Sequence, residues 1–143
     1  MNVKPQLVCV ALAATLMSST SVYSKTDIAG KYERVKPSKS EMTVARDGAE
    51  WKITLKGAGD PMPPGAAAAD CEMEAVGTLK GDVLTANVVP FQGDDITVSA
   101  DDLKNGAHVF VVKFDGRGAH VAGQDVSFCG SGSDLLGLYA RRR

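Results

Sequence analysis

Between Cys71 and Pro90 the chain alternates with a period of two. Cys71, Met73, Ala75, Gly77 and Leu79 are small or apolar, and Glu72, Glu74, Thr78 and Lys80 between them are polar, with Val76 the exception. That period predicts a strand with one buried and one wet face. Gly81-Asp82 offers a two-residue turn, and Val83 to Val89 runs back. Closing the hairpin there sets Leu79 opposite Leu84, Gly77 opposite Ala86 and Ala75 opposite Val88. Lys80 then faces Val83, Thr78 faces Thr85 and Val76 faces Asn87 on the other side. A one-residue slip would turn the polar set inward, so the register is well specified.

The same pattern extends in both directions. Ile28 to Val35 predicts a first strand, ended by Pro37. Glu41 to Arg46 and Glu50 to Lys56 predict a hairpin around Asp47-Gly48, a pair that tolerates positive φ. Closure at that point places Val44 opposite Trp51 and Met42 opposite Ile53, with Thr43–Lys52 and Ala45–Glu50 outside. Gly57 to Ala69 is a long loop in which Pro61, Pro63 and Pro64 forbid regular pairing. Phe91 to Asp95 turns the chain, Ile96 to Val98 is a short strand, and Ser99 to Asn105 is read as one helical turn capped by Ser99. His108 to Phe114 and Ala119 to Gln124 form a third hairpin around Asp115-Gly116-Arg117-Gly118, with Phe110, Val112, Phe114, Ala119 and Val121 on one face. Leu135 to Arg141 is the last strand.

About eight short antiparallel strands and no long helix define an all-β chain. Sequential hairpins favour an up-and-down meander closing into a small barrel, because closure removes exposed edges; a two-sheet sandwich is the rival. Gly30-Lys31-Tyr32-Glu33-Arg34 and Gly137-Leu138-Tyr139-Ala140-Arg141 rhyme, and closure would make these two segments neighbours.

Residues 1–24 have the composition of a secretory signal peptide, with Lys4 and the amino terminus ahead of the apolar Leu7–Met17 and small residues up to Val22-Tyr23-Ser24. The apolar run is well short of the roughly 20 residues a membrane span needs. The reading is therefore a single domain over residues 25–143, periplasmic or secreted, with no membrane contact after cleavage. Losing Lys4 from 16 basic residues leaves 15 against 17 acidic ones, which gives no reason to expect nucleic acid as a partner. Cys71 and Cys129 remain in the exported chain, an even count that predicts one disulfide. Closing a loop of that length stabilises by roughly 4 kcal/mol on chain-entropy grounds.

With Gly30-x-Tyr32 where lipocalins carry Gly-x-Trp, a signal peptide and a strand meander, the mature chain resembles the small exported barrels of the lipocalin-like and bacterial lysozyme-inhibitor kind. The resemblance covers architecture. The Ser-Gly-x-x-Tyr and Thr-Lys-Gly patterns of the membrane-bound lysozyme inhibitors are absent, and no inhibitory residue carries over.

Catalytic chemistry finds little support. His108 and His120 fall on opposite faces of their hairpin, and Gly130-Ser131-Gly132-Ser133-Asp134 does not fit the nucleophile elbow. Asp94-Asp95 and Asp101-Asp102 match neither a glycosidase pair nor a calcium loop, so no metal or cofactor is expected. Tyr32, Trp51 and Tyr139 are read as barrel packing. The expected function is binding rather than catalysis. A protein partner, such as a cationic hydrolase, would meet the loops at Met62, Asp94, Asp95, Asp101 and Asp102. The alternative is a small apolar ligand inside the barrel, although eight strands leave an interior only just filled by side chains. A hydrolase is the third class. Oligomeric state is not legible.

Overall fold

Eight strands that are each apolar on one side can cover that side without a second layer only by curling into a closed sheet. The computed structural model describes residues 27–36, 38–58, 70–94, 96–106, 108–123 and 135–143. The strands are β1 (Gly30–Arg34), β2 (Ser40–Asp47), β3 (Glu50–Ala58), β4 (Asp70–Lys80), β5 (Val83–Val88), β6 (Phe91–Gln92), β7 (Thr97–Val98), β8 (Val109–Phe114), β9 (Gly118–Gly123) and β10 (Gly137–Arg141). Among the described residues there is no helix. Eight strands close an antiparallel barrel in the order β1-β10-β9-β8-β5-β4-β3-β2, and β6 and β7 pair as a separate ribbon. Closure through Tyr32↔Arg141 and Glu33↔Ala140 rules out the sandwich.

The β4–β5 register is the one expected from the alternation, from Ala75↔Val88 to Lys80↔Val83. Phe114↔Ala119 and Val112↔Val121 likewise share the inner face of β8 and β9.

Two expectations are corrected. In the β2–β3 hairpin Val44 faces Ile53, Met42 faces Leu55, and Trp51 faces Arg46, two residues off the predicted pairing. The turn is Gly48-Ala49, with Gly48 at φ +58°, and Asp47 pairs with Glu50 instead of turning. A slip of two leaves every side chain on its original face, so Trp51 still points inward and is 5% exposed. The Arg46 guanidinium covers its ring at 5.0 Å. Residues 99–105 form a turn rather than a helix: the Asp102 carboxylate accepts from the Ser99 amide (2.8 Å) and hydroxyl (2.7 Å), and the Lys104 amide donates to the Asp101 carbonyl (3.2 Å). Local side-chain bonds of this kind satisfy the backbone without helix propagation.

β1 and β10 meet as two copies of one pattern. Gly30 (φ +151°) and Gly137 (φ +121°) hold backbone that other residues rarely adopt. Two residues on, Tyr32 donates its hydroxyl proton to the Ile28 carbonyl (2.8 Å), and Tyr139 donates to that of Leu135 (2.7 Å). Each arginine then crosses to the other copy. Arg141 donates to the Ala29 carbonyl at 2.7 Å and lies over the Tyr32 ring at 5.9 Å. Arg34 donates to the Leu136 carbonyl and lies over the Tyr139 ring at 5.7 Å. Arg34 is 1% exposed and also donates to the Ser38 carbonyl and hydroxyl, so its buried charge is well supplied with acceptors.

Truncating Trp51 to alanine is expected to lower unfolding free energy by about 3–5 kcal/mol. Lys52→Ala, its outward neighbour with a partly exposed ion pair to Glu74 at 2.7 Å, should cost no more than about 1 kcal/mol. Urea melts of the two variants check this; equal losses would contradict the inward placement of Trp51.

Candidate functional site

In a meander, successive connections alternate between the two barrel ends. Here that alternation coincides with length. Residues 35–39, 59–69, 89–108 and 124–136 connect strands at one end, whereas 48–49, 81–82 and 115–117 are the tight turns at the other. The sequence of the long connections holds seven carboxylates (Asp60, Asp94, Asp95, Asp101, Asp102, Asp125, Asp134) against three lysines (Lys36, Lys39, Lys104), a net charge of −4. The whole chain is only −1. By sequence, the long connections are therefore the acidic ones.

A cleft of about 320 Å³ opens at its rim between β2, β3, β4 and the β6–β7 ribbon. Gly57, Cys71 and Ile96 line it together with four carboxylates (Glu41, Asp70, Glu72, Asp94) and two lysines (Lys39, Lys56). Lys56 and Glu72 are partners across β3 and β4 on the outer face. The Lys56 ammonium lies 2.8 Å from the Glu72 carboxylate and 3.1 Å from that of Asp94, and the Asp94 amide donates to Glu72 (3.1 Å). These contacts fasten the ribbon to the barrel. Gly93 permits it, since a Cβ there would stand 2.7 Å from Glu72 Cδ. Hydrogen bonding first to Glu72 and then to Asp94 raises the Lys56 pKa.

Of the expected site residues, Asp94 lines the cleft. Asp101 and Asp102 are exposed on the 99–106 turn, where Asp101 pairs with Lys104 at 2.6 Å and Asp102 binds Ser99. Met62, Asp95 and Cys129 lie outside the described residues, as do residues 1–24 and the glycine-rich 130–134. The flanks of the 59–69 connection, Gly57 and Asp70, line the same cleft as Asp94, so the two regions singled out in the sequence meet at one barrel end. Lys56, Glu72 and Ile96 were not anticipated. Outward positions carrying Lys and Glu on adjacent strands are the signal for the first two.

The inward side chains Met42, Leu55, Met73, Ala75, Leu84, Ala86, Phe110 and Val112 are at most 1% exposed. Leu79 packs against this core from a half-buried position. His120 is exposed and His108 half-buried. Among the described residues no three His, Cys, Asp or Glu side chains group to hold a metal ion. Comparison with protein-family models, curated proteins and solved structures finds no match.

Three carboxylates titrate below their ordinary range. Glu33 is lowered chiefly by its hydrogen bond from Arg142, Asp102 by the Ser99 hydroxyl and then its amide, and Asp115 by the amides of Arg117 and Gly118. A depressed carboxylate stabilises the fold above its unfolded pKa, and this is lost as pH falls through the folded value. The urea midpoint should therefore stay flat from about pH 8 to about 5 and fall below about pH 4. A decline beginning between about pH 7 and 6 would contradict this assignment.

Proposed function

We propose that the protein is an exported, non-enzymatic binding protein that recognises a cationic macromolecule through the acidic, loop-bearing end of its barrel. The observation that carries this reading is the gathering of all four long connections, net −4 in sequence, at the end that also holds the cleft. Such polarisation steers a basic partner and raises its association rate. A cationic hydrolase such as lysozyme is the partner class chosen for test. The side-chain-filled interior favours loops over an interior ligand. Residues 1–24 act as the export signal in this reading, and the product is periplasmic or secreted.

Surface-immobilised protein offered lysozyme provides the test. Replacing Asp94, Asp101 and Asp102 with Asn should slow association, and raising ionic strength should do the same. Lys56→Gln, which removes a cation from the cleft, should speed it. Association indifferent to both salt and these variants would sink the reading for this partner class.

A Cys71–Cys129 disulfide belongs to the same proposal. Cys71 is 2% exposed at the cleft, and Gly57, its partner on β3, would bring a Cβ within 2.7 Å of Leu135 Cδ2. Leu135 follows Cys129 by six residues, a tether of at most about 20 Å. Thiol titration of the exported protein in denaturant should find no free thiol; two reactive thiols would refute the bridge.

A further inference from the structure

On the outer wall across β1, β10, β9 and β8, a groove of about 520 Å³ runs from Val35 and Leu138 to Lys113 and Arg117. Its floor follows from small outward residues: Ala140 and Gly118 are paired in register, and a Cβ on Gly118 would run into the Tyr139 carbonyl. One wall is a row set by the pairing, Leu138↔His120 and His120↔Lys113. Val35 and Leu138 are the exposed large hydrophobic side chains among the described residues, at 72% and 75%. The groove is thus aliphatic at one end and cationic at the other.

The two carboxylates in its lining, Glu33 and Asp115, are already engaged. Glu33 accepts from Arg142 at 2.9 Å and lies 3.7 Å from Lys39, and Asp115 accepts from the Arg117 and Gly118 amides. Lys113 has no ionic or hydrogen-bonded side-chain partner among the described residues. We propose that this groove binds a free medium-chain carboxylate, its tail over Leu138 and Val35 and its head at Lys113 and Arg117. The length fits, because Leu138 and Lys113 stand two strand spacings apart, about 10 Å. A second copy is the poorer occupant, since a two-fold pairing of grooves would set the Lys113 end of each against the aliphatic Leu138 end of the other and leave the ammonium without a counter-charge. A flat bilayer would rest on the walls and leave the Ala140–Gly118 floor unfilled.

The groove reaches the loop-bearing end at Val35, and the proposal does not depend on the reading given for that end. Titrating the full exported chain with decanoate below its micelle concentration, followed by amide chemical shifts, tests it. Saturable shifts are expected at residues 118–120 and 138–140. Decyltrimethylammonium, with the same tail and the opposite head, should bind at least tenfold more weakly. Leu138→Ser and Lys113→Glu, both at exposed positions, should each weaken decanoate at least tenfold while leaving the spectrum folded. Absence of saturation, equal binding of the two amphiphiles, or shifts confined to core residues would overturn the proposal. So would binding to phosphatidylglycerol vesicles without binding decanoate, or a dimer in sedimentation that Leu138→Ser dissolves.

Discussion

An open eight-stranded sheet would present two edges and half-cover its apolar face; everything in this fold depends on β1 and β10 meeting. They meet through the reciprocal Gly-x-Tyr-x-Arg pattern, in which each tyrosine ties back to a carbonyl four residues earlier, just ahead of its strand, and each arginine reaches across to the other copy. Cation–π contacts of this kind contribute about 0.5–2 kcal/mol each, depending on desolvation. The arginine hydrogen bonds to half-buried carbonyls matter more through what their loss would strand unpaired. The clasp joins residues more than a hundred positions apart, so it is a non-local contact whose loop-closure cost the rest of the sheet must offset.

Closure has a functional consequence. The parity of the meander sends the long connections, acidic in sequence, to one side of the sheet, and closure gathers them into a ring around one mouth. The β6–β7 ribbon extends that end outward and is held down by Glu72 and Lys56. Because Lys56 already occupies Glu72 and Asp94, the cleft carries its own competing cation, which tempers attraction for any basic partner. Among the described residues the opposite end carries the tight turns, residues 27–29 leading into β1 and residues 142–143 after β10, and the outer wall carries the groove at Lys113 and Leu138.

Alternation made the strands legible, and where a turn pair agreed with it the register was legible as well. Gly81-Asp82 is such a case. Asp47-Gly48 was not: Gly48 does take positive φ, but as the first of the two central turn residues, and a two-residue slip is invisible to a period of two. Ser99 to Asn105 carries a helix-start signal that the Ser99–Asp102 bonds satisfy locally as a turn. The site was half legible. The acidic segment and the 59–69 connection stood out by composition, but their shared end required counting strand parity around a closed sheet. Arg34 was hidden because a charged residue at an inward position reads as a break in the pattern until its acceptors, Ser38 and Leu136, are in place.

The contact between β1 and β10 is the point on which the closed barrel stands. Nuclear Overhauser spectra of the uniformly labelled protein read it directly. Cross-strand backbone cross-peaks are expected between Glu33 and Ala140 and between Tyr32 and Arg141, with aromatic protons of Tyr32 contacting the Arg141 side chain. Cross-peaks along the other seven strand pairings without any between β1 and β10 would mean an open sheet, and the closed-barrel fold would be wrong.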